Sequence, residues 1–347
     1  MNINTLQKLS AYADSVQKLF DVDNAAETFY VNPTASQTLL DDVKHTDDFL
    51  SRINIVTVDN QSGEAIGLGV GCMIASRTNT AGGGERKTRS VHDMSSMPYM
   101  CEQTNFDTHL TYSQLSSFAH LKDFEERVND QIRIQADLDK IRVGFYGKSA
   151  ESDTDVDLHP NGEDVNKGWI QSLREHKPER VLVEVVKDSN AIRIGEGGDF
   201  VNLDLAVLTV KSLLDSRFTT TNDLVTIIGS DLIAADQAKL YADNGNKPTE
   251  KSKLEMHQVI ATYGGLPSYT VSNFPPRGIM VTSFDNLSIY IQQNTIRKSV
   301  GKRNDSKDRM ENFESMNMAY VVEQLGKAAT VEFDNVKLKN PSTGDWE

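Results

Sequence analysis

One stretch, Thr111 to Tyr146, constrains the fold more than any other. It reads TYSQLSSFAHLKDFEERVNDQIRIQADLDKIRVGFY and contains no proline, and no glycine before Gly144. Apolar side chains fall at Leu115, Phe118, Leu121, Phe124, Val128, Ile132, Leu138, Ile141 and Phe145. Most steps are three or four residues, the period of one helical face. Lys122, Glu125, Glu126, Arg127, Asp130, Arg133 and Lys140 fall on the opposite face. Thr111 and Gln114 fit a capping box, in which each side chain satisfies a free donor of the first turn. Gly144 and Gly147 are expected to end the helix in the left-handed conformation. About 30 helical residues span ~45–50 Å. The apolar steps hold no strict heptad, which argues against a coiled coil. The pattern predicts one long, one-sided helix over 113–146, lying across a sheet and acting as a spine.

A chain of 347 residues allows one large or two ordinary domains. With 38% hydrophobic and 25% charged residues, a folded core is expected. The formal net charge of −14 argues against gripping nucleic-acid phosphates as the main task, because such binding rests on Lys and Arg displacing counterions. It suits a surface that lies close to nucleic acid without sticking to it. Cys72 and Cys101 make no disulfide framework, and synthesis in a reducing cytoplasm is expected. No signal-peptide pattern opens the chain, and no apolar run is long enough to predict a membrane span.

Residues 1–20 carry one apolar stripe: Ile3, Leu6, Leu9, Ala13, Val16 and Phe20. A helix this short is marginal alone, so it needs a partner surface or a temporary role. Asp21 to Glu27 is an acidic link, and Ser36 to Leu50 reads as a second short helix. From Ile53 the period changes. Residues 53–106 read as a long hairpin or extended ribbon, with Gly82-Gly83-Gly84 in its polar middle. A bare ribbon is weak alone and is expected to lie on another chain. After an acidic loop over 149–163 comes a short helix anchored by Trp169, and then a strand over 181–186. Helical and strand patterns alternate over 199–275, which predicts a compact α/β unit closed by Pro275-Pro276. Strands are expected at 279–282, 287–292, 320–324 and 330–338, and a basic polar loop at 297–309.

Chemical motifs are weak. Gly67-x-Gly69-x-Gly71 lacks the spacing and the following helix of a dinucleotide site. Cys72, His92, Cys101 and His109 fit no familiar zinc spacing. Glu151, Asp153, Asp155 and Asp157 lack the glycine and closing glutamate of a calcium loop. No nucleophile elbow is present. No catalytic, cofactor or metal residues are therefore assigned, and no cofactor is expected. The basic group Arg297, Lys298, Lys302, Arg303, Lys307 and Arg309 has two readings: an exposed loop, or a loop that meets acidic surface on a neighbouring copy.

Several strings together resemble one family. They are ASQTLLDDV (35–43), DFLSRINIV (48–56), GEAIGLGV (63–70), IASRTNTAGGGER (74–86), NFDTHLTY (105–112), the spine through GFYG (144–147), DVNKGWIQ (164–171), IRIGEGGDFVNLD (192–204), LPSYTVSNFPP (266–276), NLSIY (286–290) and DRMENFESMNMAYVVE (308–323). In number and order they resemble the major capsid proteins of P2-like tailed bacteriophages. The resemblance implies the α+β Hong Kong 97-type capsid fold. It implies an N-arm over 1–52, an E-loop over 53–106 and an axial domain over 199–275. A peripheral domain would span 107–198 and 276–347. It further implies a non-enzymatic subunit that assembles with itself into pentamers and hexamers of an icosahedral DNA-filled head. Such a subunit forms in the host cytoplasm and ends in the virion, with an internal scaffold, its maturation protease and a portal protein as partners. Trimming of the first segment would fall near Phe29 and Tyr30. An encapsulin-like compartment shares the fold and is the alternative; a nucleotide-dependent enzyme built on the α/β block is a third reading.

Overall fold

The computed structural model describes Gln17, Val22 and residues 24–31, 48–70, 75–81, 85, 86, 88, 92–114, 124–244, 262–340 and 343–347. The apolar stripe of residues 1–20, the glycines at 82–84, Cys72, most of the helix expected from Ser36 and the helix expected at 250–261 lie outside them.

A short strand β1 (Phe29–Tyr30) precedes helix α1 (Asp48–Arg52) and strand β2 (Asn54–Val58). Strands β3 (Ser62–Val70) and β4 (His92–Met100) follow, then β5 (Glu102–Asn105) and β6 (Thr108–Thr111). The expected long helix is seen as α2 (Phe124–Tyr146). After it come α3 (Trp169–His176), β7 (Val181–Leu182), β8 (Ile192–Ile194), α4 (Leu203–Ser212), β9 (Val225–Ile228) and α5 (Ser230–Asn244). The remainder is strand-rich: β10 (Thr262–Tyr263), β11 (Leu266–Tyr269), β12 (Ile279–Thr282), β13 (Leu287–Gln292), β14 (Arg297–Asn304), β15 (Arg309–Val322), β16 (Ala329–Val331) and β17 (Val336–Leu338).

These strands build two large sheets. The first runs β1-β14-β15-β13-β2, with β5 and β6 also paired to β15. Strand β15 is its axis: Met318 pairs with Ile291 of β13 and with Glu102 of β5. The second sheet runs β10-β11-β9-β12-β16-β7. In β9 and β12 every residue is buried, the pattern of strands covered on both faces. Ile228, Ile279 and Val281 face a core under α4, where Leu203, Ala206, Val207 and Val210 sit. Ile227 and Met280 face the other way, into a larger core shared with Ile289 and Met318 of the first sheet. The α/β unit expected over 199–275 is therefore not closed at Pro276. Its sheet continues through β12 and β16 from beyond that point and β7 from before it: β12 pairs with the open edge of β9, β16 with β12 and β7 with β16.

Within the described residues the spine differs from the expected one-sided stripe. Thr111 and Gln114 exchange the capping bonds: the Gln114 N–H donates to Thr111 Oγ1 at 3.3 Å, and the Thr111 N–H donates to Gln114 Oε1 at 3.0 Å. Leu115, Phe118 and Leu121 lie outside the described residues, and Phe124 opens α2. Val128, Ile132 and Leu138 are half-buried; Ile141 and Phe145 are fully buried. Lys140, placed by periodicity on the wet face, is buried and ion-paired at 2.8 Å with buried Asp137, while Ile134 is exposed. The helix packs on more than one side. Tyr320 Oη of β15 donates to the Lys140 carbonyl at 2.9 Å, and the Asn273 amide donates to the Leu138 carbonyl at 3.0 Å. A stripe rule assumes one covered face, and here two layers cover different arcs.

Gly144 and Gly147 do not take the left-handed conformation. Gly144 lies inside α2, where the Trp169 ring presses on the backbone: a Cβ there would stand 2.4 Å from a ring carbon. Trp169 is fully buried, lies 5.1 Å from Phe145 and 5.2 Å from Tyr320 by ring centroids, and donates from Nε1 to the Ser288 carbonyl at 3.0 Å. Other expectations needed trimming. The strand at 181–186 keeps only Val181 and Leu182, and the run at 330–338 is split by a turn at Phe333–Asn335.

Gly144→Ala is expected to destabilise the fold by about 1–3 kcal/mol, the cost of overpacking a filled core. Denaturant unfolding followed by Trp169 fluorescence measures it; an unchanged midpoint would show that the contact does not matter.

Candidate assembly surface

The ribbon expected over 53–106 is narrower than the sequence implied. Its ends belong to the body: β2 pairs in parallel with β13, and β5 pairs with β15. What remains is the β3–β4 hairpin, in unbroken register from Ser62↔Met100 to Val70↔His92. Nine residues in each strand reach about 30 Å. Among the described residues, neither strand pairs with a third. Gly67 and Gly69 sit in β3, so the glycine spacing belongs to a strand and not to a cofactor turn.

The neck of the hairpin is fastened to the body. The Cys101 N–H donates to the Gln61 carbonyl at 2.7 Å, and the Gln61 amide donates back to the Cys101 carbonyl at 3.3 Å. Met97 and Cys101 are buried with Tyr290, Ala319 and Val321. Tyr99 meets Tyr290 edge-on at 5.0 Å, and Tyr290 Oη donates to Glu323 at 3.0 Å. Burial, reinforced by the nearby Glu323 charge, raises the Tyr290 phenol well above its ordinary range. Burial pushes the Cys101 thiol up to about 11. A cleft of about 650 Å³ opens between this neck, α3 and β15, lined by Glu64, Met97, Tyr99, Ser172, His176 and Tyr320.

The basic segment at 297–309 is not a loop. Most of it is β14, paired with β15 on one side and β1 on the other. Ladder bonds outweigh its polar composition. Its charges are largely answered within the chain. Lys298 meets Glu314 at 3.0 Å, Arg309 meets Glu311 at 2.7 Å, and Arg297 donates to the Gln103 side chain at 2.9 Å. Lys302 lies over the Phe313 ring at 5.7 Å, and Arg303 is exposed. Phe29 and Tyr30 form β1 on this edge, Phe29 half-buried and Tyr30 65% exposed.

Other exposed groups escaped the sequence reading. Val156 and Leu158 stand 75% and 73% exposed in the acidic loop. Val201, Leu205 and Leu208 form an outward stripe beside and on α4. Their spacing was visible, but α4 is apolar on both faces, and only packing shows which face stays uncovered. Among the described residues, no three His, Cys, Asp or Glu side chains gather as a metal site. No described helix is long and apolar enough to cross a membrane.

A chain of this kind carries edges, ribbons and apolar spots that its own core does not use. Comparison with known proteins gives the reason. Residues 8–333 match the model of the phage major capsid protein, P2 family. The chain belongs to that family. It is 36% identical over 343 residues to the "Capsid proteins" of Escherichia phage P2, covering 96% of this chain and 95% of the relative. It is 30% identical over 329 residues to the major capsid protein of Serratia phage KSP20, covering 92% of each. Its fold resembles a chain in the satellite phage P4 procapsid solved with its size determination protein, at TM-score 0.76 and 34% identity, covering 97% of this chain and 99% of the other. A capsid chain of the native GTA particle shares the fold alone, at TM-score 0.51 and 14% identity, covering 82% and 89%.

The capsid protein therefore has the α+β Hong Kong 97-type fold, associates with its own copies and is a structural component of the icosahedral virion shell. In that setting the fastened neck is the point from which the β3–β4 hairpin projects. In a Cys72→Ser variant, Cys101 is expected to stay unmodified by a thiol reagent at pH 8 until denaturant is added, because its thiolate is suppressed and its sulfur buried. Ready modification in the folded chain would show that the neck opens.

Proposed function

We propose that copies of this chain assemble into the pentamers and hexamers of a closed head that encloses double-stranded DNA, with no catalysis by the chain. One observation carries the reading: the β3–β4 hairpin, whose neck packs on the first sheet, is a separate two-stranded sheet with no third strand among the described residues. A two-stranded hairpin is marginal in water by itself. Laid on a neighbouring copy, it gains the surface it lacks. In this reading the β3–β4 hairpin, the part of 53–106 outside the body sheet, acts as the E-loop and 1–52 as the N-arm. Residues 199–275, with β12, β16 and β7 completing their sheet, gather at capsomer centres as the axial domain, and the rest of 107–198 and 276–347 forms the periphery. The spine's apolar positions Val128, Ile132, Leu138 and Ile141 pack within that periphery. Arg297, Lys298, Arg303 and Arg309 border acidic surface on a neighbour.

The net charge of −14 supports a container that holds DNA without gripping it. The remaining partners in this reading are an internal scaffold with its protease and a portal protein, met in the host cytoplasm. Residues 1–29 are removed near Phe29 and Tyr30 during maturation.

Co-expression with the scaffold is expected to yield closed shells of uniform size by electron microscopy; soluble monomers under all conditions would count against the proposal. Mass spectrometry of mature particles is expected to find a chain that begins near residue 30, and an uncut chain in infectious virions would end the trimming idea.

A further inference from the structure

Residues 24–31 ride on the outer edge of the first sheet. The Val300 N–H donates to the Ala25 carbonyl at 2.8 Å, and Ser299 Oγ donates to the Ala26 carbonyl at 2.9 Å. The Val31 N–H donates to the Ile296 carbonyl at 3.0 Å. Between these anchors Phe29 pairs with Lys298 and Tyr30 with Arg297, antiparallel. Asn24 shapes the approach: its side-chain oxygen accepts from the Ala26 N–H at 3.1 Å, and its amide donates to Glu27 at 3.2 Å. Ala25 is fully buried and packs with Phe29 and Val300, while Val31 is buried in the main core.

The docking ends where β14 bends. Its register with β15 slips between Ser299 and Lys302, Gly301 takes a φ of 78°, and the Gly301 N–H turns to the Asn312 side chain at 2.8 Å. A bulge of this kind breaks the ladder and swings the strand aside. Beyond it, among the described residues, no strand pairs with the outer edge of β14. The accepting edge is thus a defined site of about five residues, Ile296 to Val300, filled by the chain's own segment.

Proteases act on backbone that has opened locally, and the rate follows the population of the open form when reclosing is fast. We infer that residues 25–31 form a strap docked on the strand-accepting edge of β14, and that the Phe29–Tyr30 bond is cleaved only after the strap leaves that edge. The strap therefore gates the cut. This deepens the trimming proposal and rests on it for its role in the virion; the docking itself is measurable on the uncut chain.

Chymotrypsin cleaves after aromatic residues and probes this bond without any phage protease. The full-length chain is digested under native conditions, and mass spectrometry follows fragments that begin at Tyr30 or Val31. Val300→Pro removes the N–H that holds Ala25, and Ala25→Asp places a charge where the side chain is fully buried. Each is expected to speed these cuts about tenfold, the effect of losing roughly one well-formed hydrogen bond or its equivalent, with the thermal unfolding of the body unchanged. Equal rates in the wild type and both variants would overturn the strap. Should Val300→Pro disturb β14, Ala25→Asp still reports, since it alters only the strap. Amide exchange at Val300 in the unmodified chain is expected to be slow; exchange as fast as in an open loop would overturn the inference. An uncut chain in virions would refute trimming and leave these rates untouched.

Discussion

The fold hangs on the burial of Trp169. Its ring lies on the bare backbone at Gly144, and its centroid is 6.0 Å from that of Phe49. Its indole N–H ends on the Ser288 carbonyl in β13. One side chain thus joins α1, α2, α3 and the centre of the first sheet. Phe145 continues the cluster to Phe274, 4.8 Å away, at the margin of the second sheet. An aromatic side chain buried on this scale removes a large apolar area, worth about 25 cal/mol per Å². The two sheets share one core because this cluster and the Ile227–Met280 face meet in it.

Several charges are answered inside the chain. Arg174 grips Glu332 with a two-pronged guanidinium contact, and Arg180 joins Asp215 and the carbonyls of Leu213 and Gly326. The second is a clasp between segments distant in sequence, where removal of one partner would strand a buried charge. Arg180 and Arg217 hold the Asp215 carboxyl below its usual range although burial works the other way. The cations of β14 are drawn into the same economy.

What the chain leaves uncovered is backbone edge and apolar surface. Among the described residues no further strand pairs with the edges of the β3–β4 hairpin or with the outer edge of β14 past its bulge, and Val201, Leu205 and Leu208 are exposed. A monomer would treat such edges as hazards. A subunit of a shell meets many copies of itself, so unpaired edges are not the same hazard to it.

The sequence by itself determined elements whose cause is local. The Thr111–Gln114 capping bonds follow from two side chains three residues apart, and β9 and β12 follow from short runs rich in apolar and β-branched residues. The family was legible too, because many short strings in fixed order leave few alternatives. Only the tertiary structure decided the rest. Gly144 is small because a tryptophan 25 positions later presses on it, Lys140 is buried because a second layer covers its arc, and the basic stretch at Arg297 is a strand because β1 and β15 take its backbone bonds. Each outcome depends on groups far apart in the chain, and period and composition carry no record of which distant segment will supply the missing partner.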